Sequence, residues 1–471
     1  MGAWSSTLPA FTAFLPLQNG RVNPAGIILL TQGITCLEVK DCLYGTYPVD
    51  AIECTDRVAG APLESRTIST EVVVYQTPIS RPIVVRRRDD VPIKPIAQER
   101  PSIPAYKGIT EGATQCTKPS VRKEWRSMSK EDRSAWIRAV KCLSHLPHDP
   151  ALSPSVDPSV SLIPPVNASG SYYDDFVYMH MDLNVRIHFT GLFLPWHRWY
   201  VNVYETALKE KCGYEGAAPY WNWSQDSADV YEASIFQESD PESGLGGWGI
   251  PAKDYSVPDG GFSDFHLSYP SPHTLRRNFT LQPYITETSP LFPDPAKQAN
   301  ATFTPAEVSK LVNGFSGDYV GFQKYFEGFE GAHGSVHLIM GGDLGGTCPQ
   351  NAPKNCTPGP TWSANGIKFS PMFSTTQLTG STIAEPMFWM HHAMVDKVWY
   401  DWQHKSQENF WKYSGGSVEA ISNLTGYEQY PNGAPPTLSL NSIMPADGLF
   451  PEATIYDVMN TTGGILCYKY E

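Results

Sequence analysis

The chain has 471 residues, of which 41% are hydrophobic and 12% aromatic, and carries a formal net charge of −13. That is ample apolar material for a large core, and the acidic balance argues against nucleic acid as a partner, because phosphate binding wants a basic patch. No run of about 18 apolar residues occurs, so no membrane-spanning helix is expected.

Residues 1–105 differ in texture from the rest. Proline is frequent, charge is clustered in "RRRDD" (86–90), and no helical period persists. "STEVVVYQT" and "RPIVV" read as short strands, and the segment as a whole as an N-terminal extension. The basic triplet Arg86-Arg87-Arg88 is either a solvated face or the cut site of a propeptide. Residues 106–471 read as one further domain.

In that domain "SKEDRSAWIRAVKCLSHLP" predicts a helix. Ser129 is its N-cap, Glu131 and Asp132 lie in its first turn, Trp136, Val140 and Leu143 share a face, and Pro147 ends it. "YYDDFVYMHMDLNVRIHF" predicts a second helix with a turn near Thr190-Gly191. "WHRWYVNVYETALKEKCG" predicts a third, stopped by Gly213. Residues 226–310 are loop-rich. "YFEGFEGAHGSVHLIMGG" is partly helical up to its glycine pair, and "AEPMFWMHHAMVDKVWYDWQHKS" is a long helix opened by Pro386. Residues 411–471 read as irregular or strand-like. The expected fold class is mainly α, with long loops and a few short strands.

Seven N-x-S/T sequons occur, at Asn167, Asn222, Asn278, Asn300, Asn355, Asn423 and Asn460, and 9 cysteines are enough for several bridges in an oxidising compartment. The start "MGAWSSTLPAFTAFLPLQNG" lacks a basic n-region and a long apolar stretch, so it is a poor signal peptide. A secreted or vesicular protein is the expectation, with an intracellular one as the alternative.

Of the 12 histidines, seven fall into clusters: His180, His188 and His197; His333 and His337; His391 and His392. "HGSVH" is an i, i+4 pair, so on a helix both rings leave one face and suit a single metal. Gly334 stands where a zinc protease would carry its glutamate base. Any one of these histidines reads most simply as a satisfied core residue; together, in aromatic helices, they read as two all-imidazole sets. No thiolate or carboxylate joins them, which suits copper rather than zinc–thiolate or non-haem iron. Asp396, four residues after His392, is placed to orient that ring.

"FTGLFLPWHRWYVNVYE", "PYWNWSQD", "HGSVH" and "EPMFWMHHAMVDKVWYDW" resemble the two copper-binding signatures of the tyrosinase and catechol oxidase family, over residues 116–470 and closest to the short secreted fungal members. The resemblance implies a central four-helix bundle around two copper ions, a type-3 pair. It matches His180, His188 and His197 to one copper and His333, His337 and His392 to the other. The His-x-x-x-Asp phase picks His392 and leaves His391 behind it. The implied activity is oxidation of o-diphenols to o-quinones with O2 reduced to water, with o-aminophenols and, weakly, monophenols as further substrates. The implied partners are a small phenol and O2, with no nucleic acid or membrane, and the chain acting as monomer or dimer. The alternative is a haemocyanin-like oxygen carrier, which a filled ligand set alone does not exclude.

Departures from the family pattern carry further expectations. Relatives that hydroxylate monophenols resemble one another in a glutamate and an asparagine that hold a water. Here the glutamate matches Glu327, with Glu330 as rival, and the asparagine's place is Gly334, so diphenols should outrun monophenols. The thioether-forming cysteine of many members is replaced by Arg186, so no Cys–His cross-link is expected. Glu385-Pro386 stands for Asp-Pro, and Met394 for an asparagine. Tyr468-x-Tyr470 resembles the motif that closes the family's core, so any block on the site is expected from the first hundred residues. Expected disulfides are Cys348–Cys356, Cys142–Cys212 and Cys116–Cys467, leaving Cys36, Cys42 and Cys54 in the extension. In "FLPWHRWY", His197 is expected at a helix start set by the turn at Pro195. Trp196 and Trp199 should seal it, and Arg198 should pair with an acid, Glu205 or Asp226.

Overall fold

The computed structural model describes residues 116–158, 163–285, 289–345, 349–350 and 384–471. It also gives the backbone of short strands at 30–31, 34–36, 54–56, 73–74, 83–84, 356–357 and 378–379. The chain divides into two compact units, Met1–Ser102 and Ile103–Glu471. In the first, Leu30–Thr31, Ile34–Cys36 and Cys54–Asp56 form an antiparallel three-stranded sheet, and Val73–Val74 pairs with Ile83–Val84. That last pair falls inside the two runs expected as strands. The basic triplet Arg86–Arg88, Cys42, the Cys348–Cys356 bond and the Asn355 sequon lie outside the described residues.

The second unit is helical, and its helices begin and end where their chemistry says. Helix α1 (Lys130–His145) starts at Ser129, whose hydroxyl accepts from Asp132 N at 3.1 Å; Trp136, Val140 and Leu143 are fully buried on its inner face. Helix α2 (Tyr172–Ile187) opens with a reciprocal cap between Ser171 and Asp174 and is buried on nearly every side. Its interior acids are satisfied: Asp182 accepts from Ser155 N and Val156 N at 3.0 Å each. Helix α3 (Phe193–Cys212) ends at Gly213, left-handed at φ 65°. It starts three residues earlier than the "WHRWY" run suggested. Pro195 therefore sits in its first turn, where the missing N–H has no helical partner to lose.

Helices α4 (Pro305–Gly314), α5 (Tyr319–Glu327) and α6 (Ala332–Met340) follow the long loop region, and α6 stops at Gly341. Helix α7 (Met387–Lys405) starts after Pro386. Glu385 accepts from Met387 N at 3.3 Å while both its oxygens take the Arg277 guanidinium at 3.0 Å, a fully buried two-pronged pair. The carboxylate at this helix start is thus both cap and anchor. In 411–471 the chain adds short helices at Leu424–Gln429 and Ile455–Met459 among its strands.

Helix α1 packs on α2 and α3, and α3 packs on α7. Indoles fill the space between: Trp125, Trp136, Trp196, Trp199, Trp389, Trp399 and Trp402 are buried, and Trp389 stacks on Tyr204 with centroids 3.6 Å apart. Strand β1 (Ser120–Arg122) lies parallel to β2 (Tyr468–Tyr470), so the two ends of the unit meet. Cys116–Cys467 ties that junction and Cys142–Cys212 ties α1 to the end of α3, the two expected bridges that fall on described residues. No helix among the described residues is long and apolar enough to cross a membrane.

Candidate metal centre

Three imidazoles converge from α2 and α3. His180 projects from the middle of α2, His188 is its C-cap, and His197 stands in the second turn of α3. Their potential ligand atoms lie within 4.8 Å of one another. Nδ1 of His197 is 2.7 Å from Phe193 O, and Nδ1 of His188 is 3.3 Å from Asn184 O. A carbonyl only accepts, so Nδ1 carries the proton in both rings and Nε2 keeps its lone pair.

The turn between the two helices fixes this set. Phe189 adopts φ 50°, which strains a β-carbon-bearing residue; its N–H donates to Glu327 Oε1 at 2.6 Å. Thr190 Oγ1 donates to Arg186 O and accepts from Leu192 N. Gly191 is forced to be glycine, since a Cβ there would meet Tyr413 Oη at 2.6 Å and Gly415 Cα at 3.0 Å.

A second set converges from α6 and α7. His333 and His337 leave one face of α6, as the i, i+4 spacing predicts, and meet His391 and His392, with potential ligand atoms again within 4.8 Å. Nε2 of His337 and of His392 are 3.3 Å apart, and Nε2 of His180 and of His197 are 3.2 Å apart. Two nitrogens on one metal at about 2.0–2.1 Å stand about 3.3 Å apart at a tetrahedral angle. The two sets share a wall: His197 stacks on His392 at 4.4 Å between centroids and 11° between planes.

All seven rings are buried. Burial pushes their pKa values down, to about 3 for His197 and about 4 for His337, and neighbouring imidazoles reinforce the shift for all but His337. They are therefore neutral, the state a metal needs. Nδ1 of His180, Nε2 of His188 and Nδ1 of His392 have no hydrogen-bond partner. Leaving such groups unsatisfied costs about 1–3 kcal/mol each; for Nε2 of His188, which lies among the other imidazoles, an ion would remove that penalty. With imidazole as the only donor type in either set, the residues fit copper.

His391 is fully buried, stacks on His333 at 5.4 Å, and has neither ring nitrogen hydrogen-bonded. Of the pair, His392 brings its Nε2 to 3.3 Å from His337 Nε2, while a ring nitrogen of His391 lies within 4.8 Å of the other three. Glu327, at the end of α5, is fully enclosed. Its Oε1 takes Phe189 N and its Oε2 takes Gln323 Nε2 at 2.8 Å, while burial lifts its carboxyl well above the usual range. Glu330 turns elsewhere, to Asp294 N at 2.8 Å and toward Lys297, whereas Glu327 bonds to the backbone of Phe189, next to His188. Gly334 is buried on α6 and brings no side chain.

Two expectations need correction. Asp396 does not orient His392. Its Oδ1 takes Arg198 Nε at 2.5 Å; its Oδ2 takes Arg122 Nη1 at 3.2 Å and the hydroxyls of Tyr468 and Tyr470 at 2.5 and 2.6 Å. Burial would raise its pKa, but Arg198 and Arg122 hold it below the usual carboxylate range. Asp396 is thus the ionic clamp joining α7 to α3 and to both paired strands.

Arg198 accordingly pairs with Asp396, not with Glu205 or Asp226. Glu205 is taken by Arg122 and Lys209, and Asp226 by Arg126 and the Trp221 indole. The guanidinium of Arg198 stacks over Trp399 at 3.6 Å and donates to Val458 O. Helix phase placed Asp396 and His392 on one face, but two arginines, Arg198 of α3 and Arg122 of β1, out-compete an imidazole for a carboxylate. Trp196 and Trp199 are buried as expected, the Trp196 indole donating to Pro445 O.

The carbonyls of Phe193, Asn184 and Leu344, which hold imidazole nitrogens, were not foreseen. The first two lie four residues before their histidines, a spacing that signals them once the helices are known.

The domain described as "Common central domain of tyrosinase" matches residues 170–405, half of the chain. The chain is 29% identical to "Tyrosinase-like protein phomQ1" of Diaporthe leptostromiformis, over 77% of this chain and 80% of that one. It is 28% identical to "Tyrosinase P" of Aspergillus terreus, covering 76% and 94%, and 28% identical to "N-acetyl-6-hydroxytryptophan oxidase ivoB" of Emericella nidulans, covering 75% and 92%. Among solved structures it is similar to a single-site mutant of the polyphenol oxidase from Thermothelomyces thermophila, with TM-score 0.53 and 25% identity over 76% of this chain and 90% of that one. With two buried imidazole sets on this helical frame, the chain belongs to the tyrosinase family of dicopper oxidoreductases.

Proposed function

We propose that the protein oxidises o-diphenols to o-quinones with O2 reduced to water, and as further substrates o-aminophenols to o-quinone imines and, weakly, monophenols, which take up one oxygen atom of O2 on the way to the o-quinone. In this reading His180, His188 and His197 hold one copper and His333, His337 and His392 the other. The copper pair, when bound, supplies O2 binding and the electron relay. Two diphenols give up four electrons and four protons, which convert one O2 into two waters. The chain's part is to keep six imidazoles neutral and fixed, and to exclude water. His391 serves as packing against His333. The names of relatives, a polyphenol oxidase and an oxidase of a hydroxytryptophan, support an electron-rich hydroxylated ring as the substrate class.

The preference for diphenols rests on one observation, the pairing of Glu327 with Gly334. The glutamate has both oxygens committed to Phe189 N and Gln323, and the residue after His333 has no side chain to share a water with it. A phenol that must first lose its proton finds no second polar group there. Purified, copper-loaded enzyme should oxidise 4-methylcatechol much faster than tyrosol, read by O2 uptake and quinone absorbance. Equal turnover of the two would sink the preference, and reversible O2 binding without quinone would mark a carrier instead.

We also place the protein on a secretory or vesicular route. Two disulfides and exposed sequons at Asn167 and Asn423 support it. Peptides from the native host lacking glycan at both asparagines would argue against it.

A further inference from the structure

In the first set the rings are oriented locally, each of His188 and His197 by a carbonyl four residues earlier in its own helix. His337 is held from outside its helix. Its Nδ1 lies 3.1 Å from the carbonyl of Leu344, in the single turn Gly342–Gly345 that follows α6. That carbonyl fixes the proton on Nδ1 and leaves the Nε2 lone pair on the side facing His392.

The turn is itself placed by Asp343, which is fully buried. Asp343 N donates to Arg276 O at 3.0 Å, and Asp343 Oδ2 accepts from Arg276 N at 2.8 Å. Its Oδ1 stands 3.2 Å from His273 Nε2 and 3.5 Å from Arg276 Nη1. Arg276 is pinned in turn by Asp254, through its carbonyl at 2.9 Å and its carboxylate at 3.2 Å. The two segments run so close that only glycine fits: a Cβ on Gly341 would meet Asn278 O at 2.0 Å, and one on Gly342 would meet Arg276 O at 2.2 Å. Leu344 N and Gly345 N close back on Gly341 O, so the Leu344 carbonyl has little freedom once Asp343 is seated.

We propose that Asp343 is a positioning residue for the second imidazole set, acting through the Leu344 carbonyl on His337, with His273 holding its carboxylate from the other side. The proposal rests on the reading of His337 as a copper ligand. A buried ion cluster that only stabilised the fold would weaken both sets together. This one reaches the second set through Leu344 O and His337, whereas His188 and His197 of the first set take their orientation from their own helices.

The test is copper affinity, resolved for two sites by chelator competition on the full chain, with the unfolding temperature of the copper-free protein measured alongside. Asp343→Asn keeps the volume and an acceptor for Arg276 N but loses the charge facing His273. It should weaken one copper by about 10–100-fold and leave the other at parent affinity. His273→Leu should do the same, and His273→Gln, which keeps a donor, should retain both coppers. Parent affinity at both sites in Asp343→Asn and His273→Leu would overturn the proposal. So would parallel weakening of both sites that tracks a lowered unfolding temperature. His337→Ala is the separate control: if it keeps both coppers, the ligand reading fails, whatever Asp343 does.

Discussion

The two imidazole sets do the same job and are built by opposite means. The first comes from one continuous stretch, 180–197, in which two helices and a five-residue turn supply the rings and the carbonyls that aim His188 and His197. The second draws on α6 and α7, more than fifty positions apart in the chain, and on a turn whose carbonyl is set by residues 273–276. A local site depends on helix geometry and one tight turn. A tertiary site depends on every segment that must arrive, and its failures should come from further away.

The sharpest way to break this comparison is at the ligands. His197→Ala should lose one copper per chain and the oxidase turnover together. The loss should exceed the roughly hundredfold typical of residues that only support a ligand, read by metal analysis and O2 uptake. Retention of two coppers would remove His197 from the first set.

The next is at the turn. Gly191→Ala drives a methyl against Tyr413 Oη and Gly415 Cα, an overpacking worth about 1–3 kcal/mol. Chemical unfolding should show that loss, and chelator competition should show the first copper weakened more than the second. Equal weakening of both would mean the sets are coupled rather than separately supported.

The smallest expected effect is on pH dependence. Glu419 follows the strand Gly416–Val418, whose Gly416 O accepts from Gly191 N behind the first set's turn. Burial pushes its carboxyl up to about 8. A folded-state pKa raised above the unfolded value, about 4.3, makes a contribution that is full below about pH 4 and lost as pH rises toward 8. The unfolding temperature should therefore fall between about pH 5 and 8, and Glu419→Gln should flatten that slope. An unchanged slope would show that Glu419 is not the group responsible.

Much of this was legible beforehand because helix signals are short-range. Ser129 caps α1, Gly213 stops α3, and the i, i+4 spacing of His333 and His337 puts both rings on one side of α6, all consequences of 3.6 residues per turn. Two of the expected disulfides formed as well, since they join helix and strand ends that the motif order brings together. Partner choice among buried charges was not legible. Arg198 had Glu205 and Asp226 nearer in sequence, yet both were claimed by Arg122, Lys209 and Arg126. A charge pairs with whichever opposite charge the packed chain delivers without solvent, and sequence distance says little about that.

The sequence by itself determined the four long helices α1, α2, α3 and α7, the all-imidazole character of the site and the missing side chain at Gly334, because residue type and local period carry that information directly. Only the tertiary structure decided that Asp396 clamps α7 to α3 and the paired strands rather than orienting His392. It alone sent Glu327 to Phe189 N and Glu330 to Asp294 N, and it alone brought the Leu344 carbonyl to His337. These are contacts that helix period does not encode, and they exist only once burial has removed the water that would otherwise compete for every one of those polar groups.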